Sequence, residues 1–279
     1  MKKLITDVHT HSQFSSDGVS PLLDMLKTAL ERGIAFYGVA EHVEYGNNLY
    51  ENAPEIDAEE YFHVARHLQE DYAGAMNVLV GVEYGYDFDK NVQGRYVTIA
   101  KKYNPDFAVN SVHMKDGVDY FYQKIFYKIG ANGKETLRDK IEVYREYLAL
   151  VKESLDVPYP YDIVGHLGYP ERYAPYQDKA MRYEDLREEF DELLNAIIQK
   201  GKILEVNASN HGAEAFAFAS EDVLKRYFEL GGRQISYASD AHSTASIARN
   251  REAVVQKLKE IGFTYLTVPC AGEYIKVEI

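Results

Sequence analysis

Short apolar runs punctuate the chain at intervals: Leu4–Val8, Phe36–Ala40, Val78–Val82, Phe107–Val112, Asp162–His166, Ile203–Asn207 and Gln234–Ala238. Each is bounded by turn residues and reads as a buried strand. Between them, apolar residues return with helical spacing. The first helix is expected to open at Ser20-Pro21, an N-cap followed by a proline suited to the first helical position, and to stop at Gly33. A second opens at Asp57 with Glu60 three residues later, a capping-box spacing. Further helices are expected over Thr136–Leu155, Tyr183–Lys200, Ser220–Leu230 and Ser243–Ile261, with a shorter one at Gly94–Tyr103. Strands alternating with helices imply a parallel sheet. The count is seven βα units, and Tyr265–Val268 and Tyr274–Val277 would add edge strands or close a barrel base. No repeat, low-complexity stretch or linker divides the chain, so residues 1–279 read as a single barrel domain.

Polar residues break this pattern in one kind of place. Of nine histidines, all but His63 and His67 stand at or beside the end of an apolar run. Asp7-Val8-His9-Thr10-His11 ends the first run, and period two puts Asp7, His9 and His11 on one face. Glu41-His42, Glu83, His113, His166 and Asp240-Ala241-His242 end later ones. In a βα barrel, the strand C-terminal ends build the site. His9, His11, Asp17, His42, Glu83, His113, His166, Asp240 and His242 therefore form a candidate metal set. These donors exceed one ion's needs and suit two to three divalent ions; with no thiolate among them, zinc, manganese or iron fits.

Other residues are read more locally. Ser16-Asp17-Gly18 could equally be a turn. Glu41 and Asp7 are candidates to orient a neighbouring imidazole. Glu205 and Asn207 share a face at the sixth strand end, where they would touch substrate or bond loop backbone. His63 and His67 lie four apart on a helix but lack the glutamate of a zinc-protease motif, so a solvated face is expected. Arg172 is a natural phosphate clamp beside the site, its alternative being a salt bridge with Glu171 or Asp178. Lys115 and His211 are further candidates for substrate contact. The long stretches Glu44–Ile56 and Gly117–Lys134 would form pocket walls or a lid. Aromatic residues in the second would pack on another copy of the chain or make a small core beneath the loop.

Bulk properties narrow the function classes. The net charge is −13, and no basic stripe exists to displace counterions, so nucleic acid is not expected as a partner. No apolar run approaches a bilayer span, and the N-terminus lacks a signal-peptide core. The single cysteine, Cys270, excludes an intrachain disulfide. A cytoplasmic location is expected.

The ordered motifs Asp7-x-His9-x-His11, Ser16-Asp17-Gly18, Glu41-His42, Gly81-Val82-Glu83, Ser111-Val112-His113, Gly165-His166-Leu167 and Ser239-Asp240-Ala241-His242 resemble those of the PHP (polymerase and histidinol phosphatase) family across essentially the whole chain. Chain length and Ser-Val-His followed by Asp116-Gly117 resemble its stand-alone histidinol-phosphate phosphatases. The resemblance implies an α/β fold, a distorted (β/α)7 TIM-like barrel, with a trinuclear site at the C-terminal ends of the strands. It implies that His9, His11, Glu83 and Asp240 hold one metal. Glu83 would bridge to a second held by His113 and His166, and Asp17, His42 and His242 would hold a third. Arg172 matches the family's phosphate-contacting arginine. The family's arginine after the sixth strand has no counterpart in Gly212–Ser220, where His211 is a substitute. The implied activity is hydrolysis of a small phosphate monoester, L-histidinol phosphate, by a metal-bridging hydroxide, with Asp17 or His242 protonating the leaving alkoxide. The rivals are a phosphatase or phosphodiesterase acting on another small ester such as a nucleotide, a carbon–nitrogen hydrolase, and a non-catalytic metal-binding module.

Overall fold

In the computed structural model, which describes residues 4–45, 55–130, 133–209 and 219–279, all seven apolar runs form strands. They are β1 (Ile5–Asp7), β2 (Ile34–Val43), β3 (Asn77–Gly85), β4 (Phe107–Ser111), β5 (Ile163–Val164), β6 (Ile203–Asn207) and β7 (Ile235–Ala238). Each pairs in parallel with the next. The helices α1 (Leu22–Glu31), α2 (Ala58–Asp71), α3 (Lys90–Tyr103), α4 (Lys140–Ser154), α5 (Arg187–Gln199) and α6 (Glu221–Glu229) lie between successive strands, and α7 (Arg251–Ile261) follows β7. The first and last strands meet above their regular portions. Val8 N–H donates to Tyr237 O at 3.3 Å, Asp240 N–H to His9 O at 2.9 Å and His11 N–H to Ala241 O at 2.8 Å. The sheet is thereby a nearly closed, distorted (β/α)7 barrel.

Two apolar layers hold it. The outer one packs helix faces, such as Met25 and Leu26 of α1 and Tyr61 and Phe62 of α2, against outward residues of the strands. The inner one fills the barrel near the strand N-termini with Val8, Ala40, Leu79, Phe107, Val109, Ile163 and Ile203. Phe107 reaches across this interior. A Cβ at Gly81 would lie 2.3 Å from its ring and one at Gly38 would lie 2.9 Å from it, so glycine at both positions makes room for the phenyl group. An antiparallel hairpin, β8 (Tyr265–Cys270) and β9 (Glu273–Glu278), stoppers the open base by adding Val268 and Val277 to the same cluster. The terminal segments therefore close the base and join no edge.

Local chemistry accounts for most boundaries. Asp57 caps α2 by accepting from Glu60 N–H at 3.0 Å, and Asp139 caps α4 by accepting from Glu142 N–H at 3.0 Å. Four expectations shift. Ser20 does not cap α1: its hydroxyl accepts from Thr244 N–H, and Gln13 Oε1 accepts from Leu22 N–H instead. The helix expected from Thr136 starts only at Lys140, because Glu135–Leu137 pairs with Tyr127–Ile129 in a hairpin. Residue 243 does not open α7, which begins at Arg251 after Asn250 takes a left-handed φ of 54°. Conversely, α3 starts four residues early, at Lys90, where Asp89 caps it through Asn91 N–H. Within Gly117–Lys134, Tyr120, Ile125 and Phe126 are buried while Phe121 is 52% exposed, so the described part packs into the outer apolar layer and forms no separate core of its own.

Candidate metal centre

The strand C-terminal ends converge on Glu83. It leaves β3 inside the barrel, fully buried, with imidazoles on every side. His42 Nδ1 lies 2.8 Å from Glu83 Oε2, and His9 Nε2 and His11 Nε2 lie 3.4 Å and 3.6 Å from the same atom. His166 Nε2 and His113 Nε2 lie 2.9 Å and 3.4 Å from Glu83 Oε1. Asp240 Oδ1 stands 3.3 Å from His11 Nε2. At the solvent edge, Asp17 faces His242 Nε2 at 3.1 Å and His42 Nε2 at 3.6 Å. All nine predicted ligands thus come together. Among the described residues, three groups have donor atoms close enough to share an ion: His9, His11 and Glu83; His42, Glu83 and His113; His11, His42 and His242.

A supporting layer sets the tautomers. His9 Nδ1 meets Glu205 Oε2 at 2.6 Å, His113 Nδ1 meets Glu44 Oε1, and His11 Nδ1 meets Ser15 Oγ at 3.1 Å. Each contact places the ring proton on Nδ1 and turns the Nε2 lone pair inward, the arrangement of a metal-binding imidazole. Fit to cations can be judged from what faces what. His9 Nε2 and His11 Nε2 are 3.1 Å apart, as are His113 Nε2 and His166 Nε2. Two inward lone pairs at that separation repel unless a proton or a cation lies between them. Glu83 Oε2 and His242 Nε2 are buried, and their near neighbours His42 Nδ1 and Asp17 Oδ2 approach them out of line for a good hydrogen bond. A nitrogen- and oxygen-only donor set with such facing lone pairs fits several borderline divalent ions.

Without ions, protons hold the cluster together. Burial disfavours charge on His9, yet Glu205 and Glu83 outweigh it and raise its pKa well above the usual value. His42 is pushed up to about 10 against the same burial, by Glu83 and Asp17. Burial also opposes ionisation of Glu83, but His9, His42 and His113 hold it well below the usual carboxylate range. His11 goes the other way, to about 3, because burial and the neighbouring His242 and His42 all oppose its charge. Metal ions would replace these protons.

The remaining predicted residues are sorted by the structure. Arg172 lies beside the cluster: its Nη2 meets Ser209 Oγ and, at 3.4 Å, Asp240 Oδ2. Asn207 is buried, its Nδ2 donating to Glu205 Oε1 at 2.8 Å and Asp240 Oδ2 at 3.3 Å, so it braces ligands from below. Lys115 is turned to Glu146 at 2.9 Å and Asp116 at 3.5 Å, outside the cluster. His211 lies outside the described residues. His63 and His67 stay on α2, His67 facing Asp71. Asp7 does not orient an imidazole. Its two oxygens accept from Ser239 N–H and Ala248 N–H, one layer below the site, and tie down the chain after β7. Glu41 acts at one remove: it accepts from Ser12 and from Ser15 Oγ, and Ser15 supports His11. Glu44 follows from the strand period, two residues beyond His42. Ser15, Ser209 and Tyr169, whose ring packs 4.7 Å from His113 and 5.1 Å from His166, carry no sequence signal.

Barrel and site together define a metallohydrolase-type centre, with imidazoles clustered around a buried carboxylate at the strand C-termini and an arginine alongside. Within that class, residues 7–209 match the PHP domain, and the chain belongs to the PHP family. It is 29% identical over 252 residues to the histidinol-phosphatase of Lactococcus lactis subsp. lactis (strain IL1403), covering 87% of this chain and 85% of that one. It is 27% identical over 248 residues to a "probable histidinol-phosphatase" of Clostridium acetobutylicum, covering 88% and 90%. The crystal structure of histidinol phosphate phosphatase from L. lactis, complexed with zinc, L-histidinol and phosphate, aligns with a TM-score of 0.81 at 25% identity over 99% of both chains. Among the described residues no helix is long and apolar enough to cross a membrane.

Proposed function

We propose that this protein is a metal-dependent phosphatase that hydrolyses L-histidinol phosphate to L-histidinol and phosphate. The observation that carries the reading is the convergence of five imidazoles on the two oxygens of Glu83, with Arg172 alongside, in a barrel that matches a zinc-, histidinol- and phosphate-bound relative across its whole length. We assign His9, His11, Glu83 and Asp240 to one ion, Glu83, His113 and His166 to a second, and Asp17, His42 and His242 to a third. When bound, such ions supply Lewis acidity toward phosphoryl oxygens and acidify water.

The chain's own groups do the rest. Glu205, Glu44 and Ser15 hold the imidazoles in the tautomer that presents Nε2. Arg172 binds phosphoryl oxygens through its planar fork. With no ion at that third position, Asp17 and His242 would instead protonate the leaving alcohol, with the proton carried on His242 Nε2 beside Asp17 Oδ2. An ion held by His242 Nε2 would take the lone pair this proton needs, so the two roles exclude one another at that atom. The pH profile of Asp17→Asn decides: an alkaline limb of kcat moved to lower pH assigns the acid, because Asp17 raises the His242 pKa, whereas loss of metal with an unchanged profile assigns the ligand. Residues 1–279 are read as one domain acting in the cytoplasm on a small ester and not on nucleic acid, which the charge of −13 and the lone Cys270 support.

The decisive experiment is phosphate release from a panel of phosphomonoesters and phosphodiesters, using protein whose metals have been counted and whose mass in solution is known from light scattering. Turnover concentrated on L-histidinol phosphate, with two to three ions per chain, is expected. Preferential release from a nucleotide or a diester would move the substrate. No release from metal-loaded protein would leave a metal-binding module.

A further inference from the structure

Beyond the end of β6 the chain brings Ser209 back over the strand, where it is only 4% exposed. Its hydroxyl meets Asn207 Oδ1 at 2.5 Å, Asp240 Oδ2 at 2.9 Å and Arg172 Nη2. Its own N–H donates to Asn207 Oδ1 at 2.9 Å. A guanidinium can only donate, so the serine oxygen accepts from Arg172 and its single proton goes to one of the two oxygens opposite. The carboxylate of Asp240 is divided accordingly. Oδ1 faces His11 Nε2 at 3.3 Å, whereas Oδ2 receives Ser209, Asn207 Nδ2 and Arg172.

We propose that Ser209 is a positioning residue that fastens the phosphate-clamping Arg172 to the metal-side carboxylate Asp240. The proposal rests on the phosphatase reading above. Three separate loops meet at this hydroxyl, those following β5, β6 and β7. Arginine has a long side chain with many rotamers, and a clamp helps only if its fork stays at a fixed distance from the ions. Anchoring Nη2 to a buried hydroxyl and a carboxylate supplies that distance before substrate arrives.

The test is a double-mutant cycle on metal-loaded enzyme. Ser209→Ala is expected to raise the KM for L-histidinol phosphate and the inhibition constant of inorganic phosphate by about tenfold, the scale of a hydrogen bond to a charged group. Metal content should stay at the wild-type value. Ser209→Thr, which keeps the hydroxyl, should recover most of the loss. In an Arg172→Ala background, Ser209→Ala should cost nothing further, because the group it positions is gone. The proposal is overturned if Ser209→Ala sheds metal, if it costs the same factor with and without Arg172, or if phosphate inhibition does not change. Should wild-type enzyme fail on L-histidinol phosphate, the substrate reading falls. Calorimetric titration of the four proteins with inorganic phosphate then still decides on Ser209.

Discussion

The two ends of this barrel are built from the same strands in opposite chemistry. At the base, Leu79, Phe107, Ile163 and Ile203 pack against Val268 and Val277 of the terminal hairpin in a layer without a charge. A few residues further along those strands stand Glu83, His166 and Glu205, fully or almost fully buried. On β3 the passage from Leu79 to Glu83 takes about 13 Å at the usual strand rise. The base releases apolar surface from water and needs no partner from solution. The mouth concentrates lone pairs and carboxylates that are compatible with burial only when protons or cations lie between them. Stability and chemistry are thus separated along the strand axis, and each end can be broken without the other.

The sharpest break at the mouth is His113→Ala. It removes an imidazole that faces Glu83 Oε1 and should lower turnover by about 10³-fold or more, since Lewis-acid stabilisation of the transition state is worth several kcal/mol. Phosphate release and metal counting read the effect, and a retained cooperative unfolding transition would show the base intact. Retained activity would remove His113 from the site. The matching break at the base is Phe107→Ala. The cavity left between Gly38 and Gly81 should cost about 3–5 kcal/mol in denaturant unfolding, while the folded fraction keeps its metal content. Coupled loss of metal would show that the two ends are not independent.

A milder change at the mouth is Glu205→Gln, which leaves His9 Nδ1 a weaker acceptor. Metal affinity or turnover should fall about 10- to 100-fold, read by competition with a chelator. The last break is one of pH. His42 has a folded pKa of about 10 against an ordinary 6.5, so its stabilising proton is fully present below pH 6.5 and is lost as pH rises toward 10. His11, held at about 3, has the opposite sign: the folded chain resists protonation there, and stability falls as pH drops from 6.5 toward 3. Chelated protein should therefore melt highest near pH 6.5 and lower on both sides. Metal-loaded protein, whose imidazoles are held neutral by the ions, should keep its melting temperature on the alkaline side. A chelated protein with the same alkaline plateau would remove protonated His42 from the account.

The sequence by itself determined the strands and the cluster of candidate ligands at their ends. Apolar runs have a local cause, and the polar residues that end them share one face because strand period two and a parallel sheet leave no other arrangement. That is why His9 and His11, Glu83, His113 and Asp240 could be named from spacing and family motif alone. Tertiary structure decided what those side chains lean on. Glu205 supports His9 from 196 residues away, Glu44 reaches His113 across two strand ends, and Ser209 joins Arg172 to Asp240. No local pattern records such contacts, because they depend on how loops from different strands meet over the barrel mouth. The same holds where local signals misled: Glu135–Leu137 has helical neighbours but pairs as a hairpin, and Asp7 shares the period of His9 and His11 yet sits one layer lower, where two backbone N–H groups claim it. Periodicity assigns a face, and only packing sets the depth along it.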